Sequence, residues 1–141
     1  VPVGLVVVSH SRALADAAVE LARGMLPGRE LAVGVAAGDV DGGLGTDATA
    51  IADAVTAADS GDGVVVLMDL GSAVLSAETA LELLDDDVRE RVVLSPAPLV
   101  EGLVGAAVTA AAGADRDRVA TEALRGLAPK QAHLGGPAGG S

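Results

Sequence analysis

The chain has 141 residues, half of them apolar, with 20 acidic side chains against nine basic ones and a formal charge of -11. That length and apolar content suit one domain around one core, while the acidic balance and the absence of Phe, Tyr and Trp leave neither the cationic surface nor the stacking platforms of nucleic-acid binding. The absence of Cys excludes disulfides and thiolate metal sites and fits a reducing, cytoplasmic setting.

No run approaches the ~20 uninterrupted apolar residues of a membrane span. The opening run, residues 1–8, meets polar Ser9, His10, Ser11 and Arg12 and has no basic segment before it, unlike a signal peptide. Residues 3–8 are continuously apolar and rich in valine, as expected of a strand covered on both faces. Ser11 caps a predicted helix in which Leu14, Ala18, Leu21, Ala22 and Met25 recur at helical spacing, and Gly24, Pro27 and Gly28 stop it. Residues 31–35 read as a second strand, weakened by Ala32 and Gly34. A glycine-rich loop over 38–45 follows, and Thr46 or Asp47 caps a helix with Ile51, Val55 and Ala58 on one face.

Residues 64–68 are the clearest strand. Asp69, Leu70 and Gly71 turn the chain, and Ser72 caps a helix bearing Val74, Ala77, Leu81 and Leu84 along one side. Asp85, Asp86 and Asp87 read as a solvated turn, because acidic groups are unfavourable at the negative end of the helix macrodipole. A fourth strand covers 92–94, closed by Ser95 and Pro96, and Pro98 opens a helix with Leu99, Leu103, Ala107 and Ala110 inward. Beyond Gly113, Asp115 or Asp117 caps a last helix containing Val119, Ala123, Leu124 and Leu127, which Pro129 closes. The order βαβαβαβαα, with strands of unbroken apolar character, predicts an open parallel sheet with helices on both faces. Residues 1–130 form the domain, and 131–141 a flexible tail or truncated linker.

Open parallel α/β sheets bind ligands beyond the C-terminal ends of their strands, where strand order reverses. Four loops reach that edge, over 9–12, 38–46, 69–72 and 95–98. In the first, His10 offers a ring lone pair for nucleophilic attack if a carboxylate holds the proton of its other nitrogen. Asp69, at the corresponding end of the third strand, is the candidate orienting group. The helix after Ser11 supplies N–H donors and a positive dipole end suited to a phosphoryl group. Arg12 adds a cation, Thr46 and Ser72 add hydroxyls, and Gly43 and Gly45 allow close backbone approach.

On spacing alone a plainer reading stands beside this one, with His10 making local hydrogen bonds ahead of a helix and Asp69 serving as a turn residue. His133 lies near the tail without such a setting. Asp39 and Asp41 lack the further ligands a metal needs, so neither metal nor cofactor is expected. There is no phosphate-binding P-loop, Lys130 being the only lysine, and neither a complete dinucleotide fingerprint nor a GxSxG segment.

Four segments carry a more specific signal: Gly4-Leu5-Val6-Val7-Val8-Ser9-His10-Ser11, Gly43-Leu44-Gly45-Thr46-Asp47, Leu67-Met68-Asp69-Leu70-Gly71-Ser72-Ala73 and Ala97-Pro98-Leu99-Val100-Glu101-Gly102. They stand in order and span the domain to about residue 128. Through them the chain resembles the phosphoryl-donor subunits of phosphoenolpyruvate-dependent dihydroxyacetone kinase, a family related to the mannose-type IIA domains of the sugar phosphotransferase system. The resemblance implies a mostly parallel sheet of order 2-1-3-4 and a cytoplasmic homodimer.

It further implies a phosphotransferase in which His10 takes a phosphoryl group from the phosphohistidine of the carrier HPr. The group then passes to ADP on the kinase's nucleotide-binding subunit, while dihydroxyacetone stays on a third subunit. Asp69 matches the carboxylate beside the active histidine. Ser9, Ser11, Arg12, Gly43, Gly45, Thr46, Gly71 and Ser72 are the expected phosphoryl or partner contacts. Some relatives fuse carrier and first-enzyme domains after this one. The alternative is a IIA subunit of a mannose-type transporter that delivers phosphate to a IIB domain, and a noncatalytic regulatory or scaffold module is the third reading.

Overall fold

The computed structural model describes residues 3–29 and 31–135. In chain order the elements are β1 (Gly4–Ser9), α1 (Arg12–Gly24), β2 (Val33–Ala37), α2 (Ala48–Ala58), β3 (Val64–Met68), α3 (Ser72–Glu82), α4 (Asp86–Arg89), β4 (Val92–Ser95), α5 (Leu99–Ala111), α6 (Arg116–Leu124), a 3₁₀ turn (Arg125–Leu127) and α7 (Ala128–His133). The strands form one parallel sheet of order β2-β1-β3-β4. This is the mannose-type IIA-like architecture that the resemblance implies.

Side chains alternate across a strand, so β1 serves two half-cores. Leu5 and Val7 face Ala15, Ala18, Val19 and Ala22 of α1 and the inner side of α5 and α6. Val6 and Val8 face Ile51 and Val55 of α2 and Ala73, Ala77 and Ala80 of α3. Every residue of β1 and β3 is buried, which is why both strands are unbroken apolar runs. With no aromatic side chains to fill space, backbones approach closely: a Cβ on Gly4 would lie 2.3 Å from the Ala58 carbonyl oxygen, and one on Gly126 2.4 Å from that of Glu101.

The close approach also turns α1. Leu14, Leu21 and Met25, expected inward, are exposed, and Ala15, Val19 and Leu26 join Ala18 and Ala22 in the core. Small side chains occupy the contact line and the larger ones are displaced outward. Strand β2 begins two residues later than expected, because its pairing with β1 runs from Leu5↔Val33 to Ser9↔Ala37. Asp47 caps α2 through the Thr49 N–H and Asp115 caps α6 through the Arg118 N–H.

The acidic run is not a plain turn. Asp85 precedes the single-turn helix α4, which has Asp86 and Asp87 in its first turn and Arg89 in its last, matching its dipole. Leu124 is exposed at the end of α6. Pro129 begins α7 rather than closing a helix, since the first turn needs no proline N–H. The expected tail from residue 131 is thus helical through His133, and its part over 136–141 lies outside the described residues. No helix among the described residues is long and apolar enough to cross a membrane.

At the N-terminal edge of the sheet, the nearly buried Asp59 carboxylate at the end of α2 takes Arg91 Nη2 at 2.6 Å, just before β4. The Arg91 hydrogen bond outweighs burial and holds Asp59 below its ordinary pKa of 3.8. A depressed native pKa stabilises the fold at pH above the unfolded value, and that contribution fades as pH falls through the native one. The urea midpoints of the wild-type protein and Asp59→Asn should therefore differ by a constant amount near neutral pH and converge in acid below 3.8.

Candidate active site

Strands β1 and β3 are paired with Val8 opposite Met68, so Ser9-His10 and Asp69 leave neighbouring strands at the same level. The Asp69 N–H continues the ladder to the Val8 carbonyl at 3.1 Å. Its carboxylate turns back across β1. Oδ1 lies 2.9 Å from His10 Nδ1 and accepts the Leu70 N–H at 2.7 Å. Oδ2 accepts the His10 main-chain N–H and the Ser9 hydroxyl, each at 2.9 Å.

Burial pushes the Asp69 carboxyl up, but the hydrogen bonds from the His10 main chain, the His10 ring, Ser9 and Leu70 together outweigh it and hold its pKa below the ordinary value. Asp69 is therefore an anion at neutral pH and only accepts. In the neutral ring Nδ1 then carries the proton, and Nε2 keeps its lone pair. The Ser72 hydroxyl, 2.9 Å from Nε2, donates to that lone pair. The His10 side chain is 26% exposed and that of Asp69 7%; the Nε2–Ser72 contact lies on the exposed side, and the Nδ1–Asp69 contact is partly buried. The ring's two partners come from residues 59 and 62 positions away, so local hydrogen bonding ahead of a helix does not describe His10.

The β2–α2 loop is tied to the same backbone. Gly38 N–H donates to the Ser9 carbonyl at 3.1 Å and Gly45 N–H to the His10 carbonyl at 2.9 Å. Asp39 Oδ1 accepts the N–H groups of Asp41 and Gly43, both at 2.9 Å, so this carboxylate organises the loop. Gly42 and Gly45 take positive φ of 83° and 148°, a backbone region that disfavours other residues. Thr46 Oγ1 lies 2.5 Å from Ser76 Oγ and latches the loop to α3. No group of three or more His, Asp or Glu among the described residues is placed to hold a metal.

Ser9, His10, Asp69 and Ser72 thus form one bonded cluster. Ser9 is fully buried beneath it. Ser11 caps α1 by accepting the Leu14 N–H at 3.2 Å. Arg12 begins α1, exposed, with Nη1 3.8 Å from Asp16. Gly43 bonds within its loop, and Gly71 stands at the N-cap of α3. Ser72, expected as that cap, is instead the first helical residue, and α3 has no side-chain cap. His133 is exposed on α7. Beside Asp69, between the loops after β3 and β4, opens a cleft of about 300 Å³ that reaches Ser95 and Pro98. Sequence reasoning missed Ser76 and the loop-building role of Asp39; the i,i+4 spacing of Ser72 and Ser76 was the available signal.

A histidine and a carboxylate at the switch point of this sheet order are what the resemblance to the IIA class of the phosphotransferase system implies, and the family model described as "PTS system fructose IIA component" matches residues 4–120. The phosphoryl donor subunit DhaM of the PEP-dependent dihydroxyacetone kinase of Pantoea ananatis is 52% identical over 135 residues, covering 94% of this chain and 28% of its own length. The chain therefore spans just over a quarter of that longer relative. The phosphoryl donor subunit DhaM of PEP-dependent dihydroxyacetone kinase 2 of Listeria innocua is 37% identical, and the match covers 85% of this chain and 95% of that protein. Among solved structures, EF1359, described as a protein of unknown function, superposes with a TM-score of 0.79 at 35% identity, over 89% of this chain and 95% of the other. The chain belongs to the family of the dihydroxyacetone-kinase phosphoryl donor subunits, within the IIA class.

The ring geometry has a direct spectroscopic consequence. Nitrogen-15 shifts of His10 at a pH where the ring is neutral should show the Nδ1–H form almost alone. In Asp69→Asn, whose amide can offer either an oxygen or an NH₂ to the ring, that preference should collapse to a mixture.

Proposed function

We propose that this domain accepts a phosphoryl group on His10 Nε2 from the phosphohistidine of an HPr-type carrier and delivers it to ADP on the nucleotide-binding subunit of dihydroxyacetone kinase. The observation that carries the reading is the state of Nε2: an oriented lone pair at an open edge, with the opposite nitrogen's proton held by a buried anion. The names of the relatives supply the system.

In the loading step the Nε2 lone pair attacks phosphorus, and the donor's N–P bond breaks with its electron pair returning to the donor ring. Positive charge develops on the His10 ring, and Asp69 offsets it through the retained Nδ1–H. No proton leaves Nδ1. In delivery a terminal phosphate oxygen of ADP attacks the same phosphorus, and the Nε2–P bond breaks with its pair on Nε2. Ser72 releases Nε2 for attack and turns its hydroxyl to a phosphoryl oxygen, at the positive dipole end of α3. Arg12 adds a cation at the neighbouring helix start.

Exposed apolar side chains support protein partners rather than small phosphate donors. Val40 and Leu44 on the β2–α2 loop, Leu70 beside Asp69 and Leu75 one turn into α3 are each more than 60% exposed, and large exposed apolar side chains on the elements that carry a site suit protein contacts. Association of two copies is part of the same reading; exposed Leu21, Met25 and Val100, along one groove between α1 and α5, are surface suited to it.

Incubation with labelled phospho-HPr should give an acid-labile, alkali-stable label that moves to ATP when the nucleotide-binding subunit and ADP are added. Label that persists in His10→Ala, or that moves only to a IIB domain, overturns the proposal. Asp69→Asn should load about 100-fold more slowly. Leu44→Asp and Leu75→Asp should raise the KM for phospho-HPr by about tenfold while kcat stays near the wild-type value, as expected for contacts used in docking alone.

A further inference from the structure

We propose that Ser9 is a positioning residue, whose buried hydroxyl fixes the rotation of the Asp69 carboxylate and so sets the tautomer and aim of the His10 ring. The inference rests on the reading of His10 as the phosphoryl acceptor. Ser9 ends β1 with no exposed surface, so it touches neither a phosphoryl group nor a partner. Its hydroxyl is fully committed. The Ser11 N–H, 3.0 Å away, can only donate to it, which leaves the Ser9 proton for Asp69 Oδ2 at 2.9 Å.

Ser95 is the other buried polar residue among those described, and its hydroxyl serves its own turn by accepting the Ala97 N–H at 3.1 Å. Ser9 instead reaches across to a neighbouring strand, 60 positions along the chain. Each Asp69 oxygen has two donors, Oδ1 from Leu70 N–H and the ring, Oδ2 from His10 N–H and Ser9. Without Ser9, Oδ2 keeps one donor and the Ser11 N–H loses its acceptor. With three donors left in place of four, the carboxylate can tilt about its Cβ–Cγ bond, so that Oδ1 moves out of the ring plane and its hold on the Nδ1 proton weakens. Group transfer is sensitive to such small losses of aim.

The test compares Ser9→Ala with Ser9→Thr, which keeps the hydroxyl. Three readouts are followed: ring nitrogen-15 shifts, kcat and KM for loading from phospho-HPr, and urea unfolding to establish that each variant is folded. Ser9→Ala should show mixed tautomers and a kcat lowered about tenfold, with KM within about twofold of wild type, and Ser9→Thr should restore both tautomer and rate. Wild-type tautomer and kcat in Ser9→Ala, or equal losses in both variants, overturn the proposal. If Ser9→Ala does not fold, Ser9→Cys, of similar volume and weaker donor strength, takes its place: mixed tautomers with a lowered kcat support the role, and wild-type behaviour overturns it. Failure of the wild-type chain to take label on His10 refutes the phosphoryl reading instead, and the tautomer comparison still decides the role of Ser9.

Discussion

Asp69 reaches His10 because β1 and β3 are hydrogen-bonded neighbours although β2 lies between them in sequence. The chain crosses from β1 outward to β2 and then back past β1 to β3, and the crevice opens where those two crossovers part. A slip of one residue in this pairing would move Asp69 by about 3.3 Å and turn its side chain to the opposite face. The valines of β1 and β3 do little to prevent this, since both faces are apolar and a slip exchanges one valine for another. Register is held at the strand ends: Gly4 N–H meets the Gly63 carbonyl at 3.0 Å below, and Asp69 N–H meets the Val8 carbonyl above. The absence of a side chain at Gly4, where α2 closes over the strand, adds a steric stop.

The two edges of the sheet consequently have different duties. The N-terminal edge is locked by the Asp59–Arg91 ion pair and by glycine contacts. At the C-terminal edge, hydrogen bonds between residues about 60 positions apart converge on the Asp69 carboxylate and the His10 imidazole. The core between them is built from alanine and branched aliphatic side chains. Its close helix–sheet contacts put alanines inside and leave leucines and a methionine on the outer faces of the helices. The composition that makes the interior compact thus also leaves large apolar side chains on the surface, and such side chains suit the protein contacts of the proposed function.

Strands, sheet class and the His10–Asp69 pair are legible in the sequence because two-sided burial leaves an uninterrupted run of apolar residues, and the polar residue that ends such a run stands at the ligand-binding edge. The hydroxyls are less legible. Ser72 reads as a cap and Ser9 as a contact because a serine ahead of a helix suits either task, and only the fold around it decides which way the side chain turns. Thr46 is placed in the same way, against Ser76 rather than outward. The inward stripe of α1 departs from the expected one because leucine outranks alanine in hydrophobicity, whereas at a tight helix–sheet contact size decides. Pro129 reads as a stop because a helix interior has no place for its ring and its missing N–H, yet in a first turn neither matters and its fixed φ suits the helix.

A histidine that hands a phosphoryl group between two proteins faces opposing demands. Two partners must in turn reach one nitrogen, so the site cannot close around it as a small-molecule pocket does. An open site, however, gives up the enclosure that ordinarily holds a nucleophile in place. If His10 has the proposed role, its surroundings separate the two demands. Orientation comes from beneath, from a shielded carboxylate with four donors on its two oxygens, while Nε2 keeps only a single exchangeable hydroxyl partner on its open side. On the phosphoryl-transfer reading, substitutions beneath the ring change the chemical step and substitutions among the outer leucines change encounter, because the first set bonds to the ring or its carboxylate and the second is exposed on the neighbouring loops and helix.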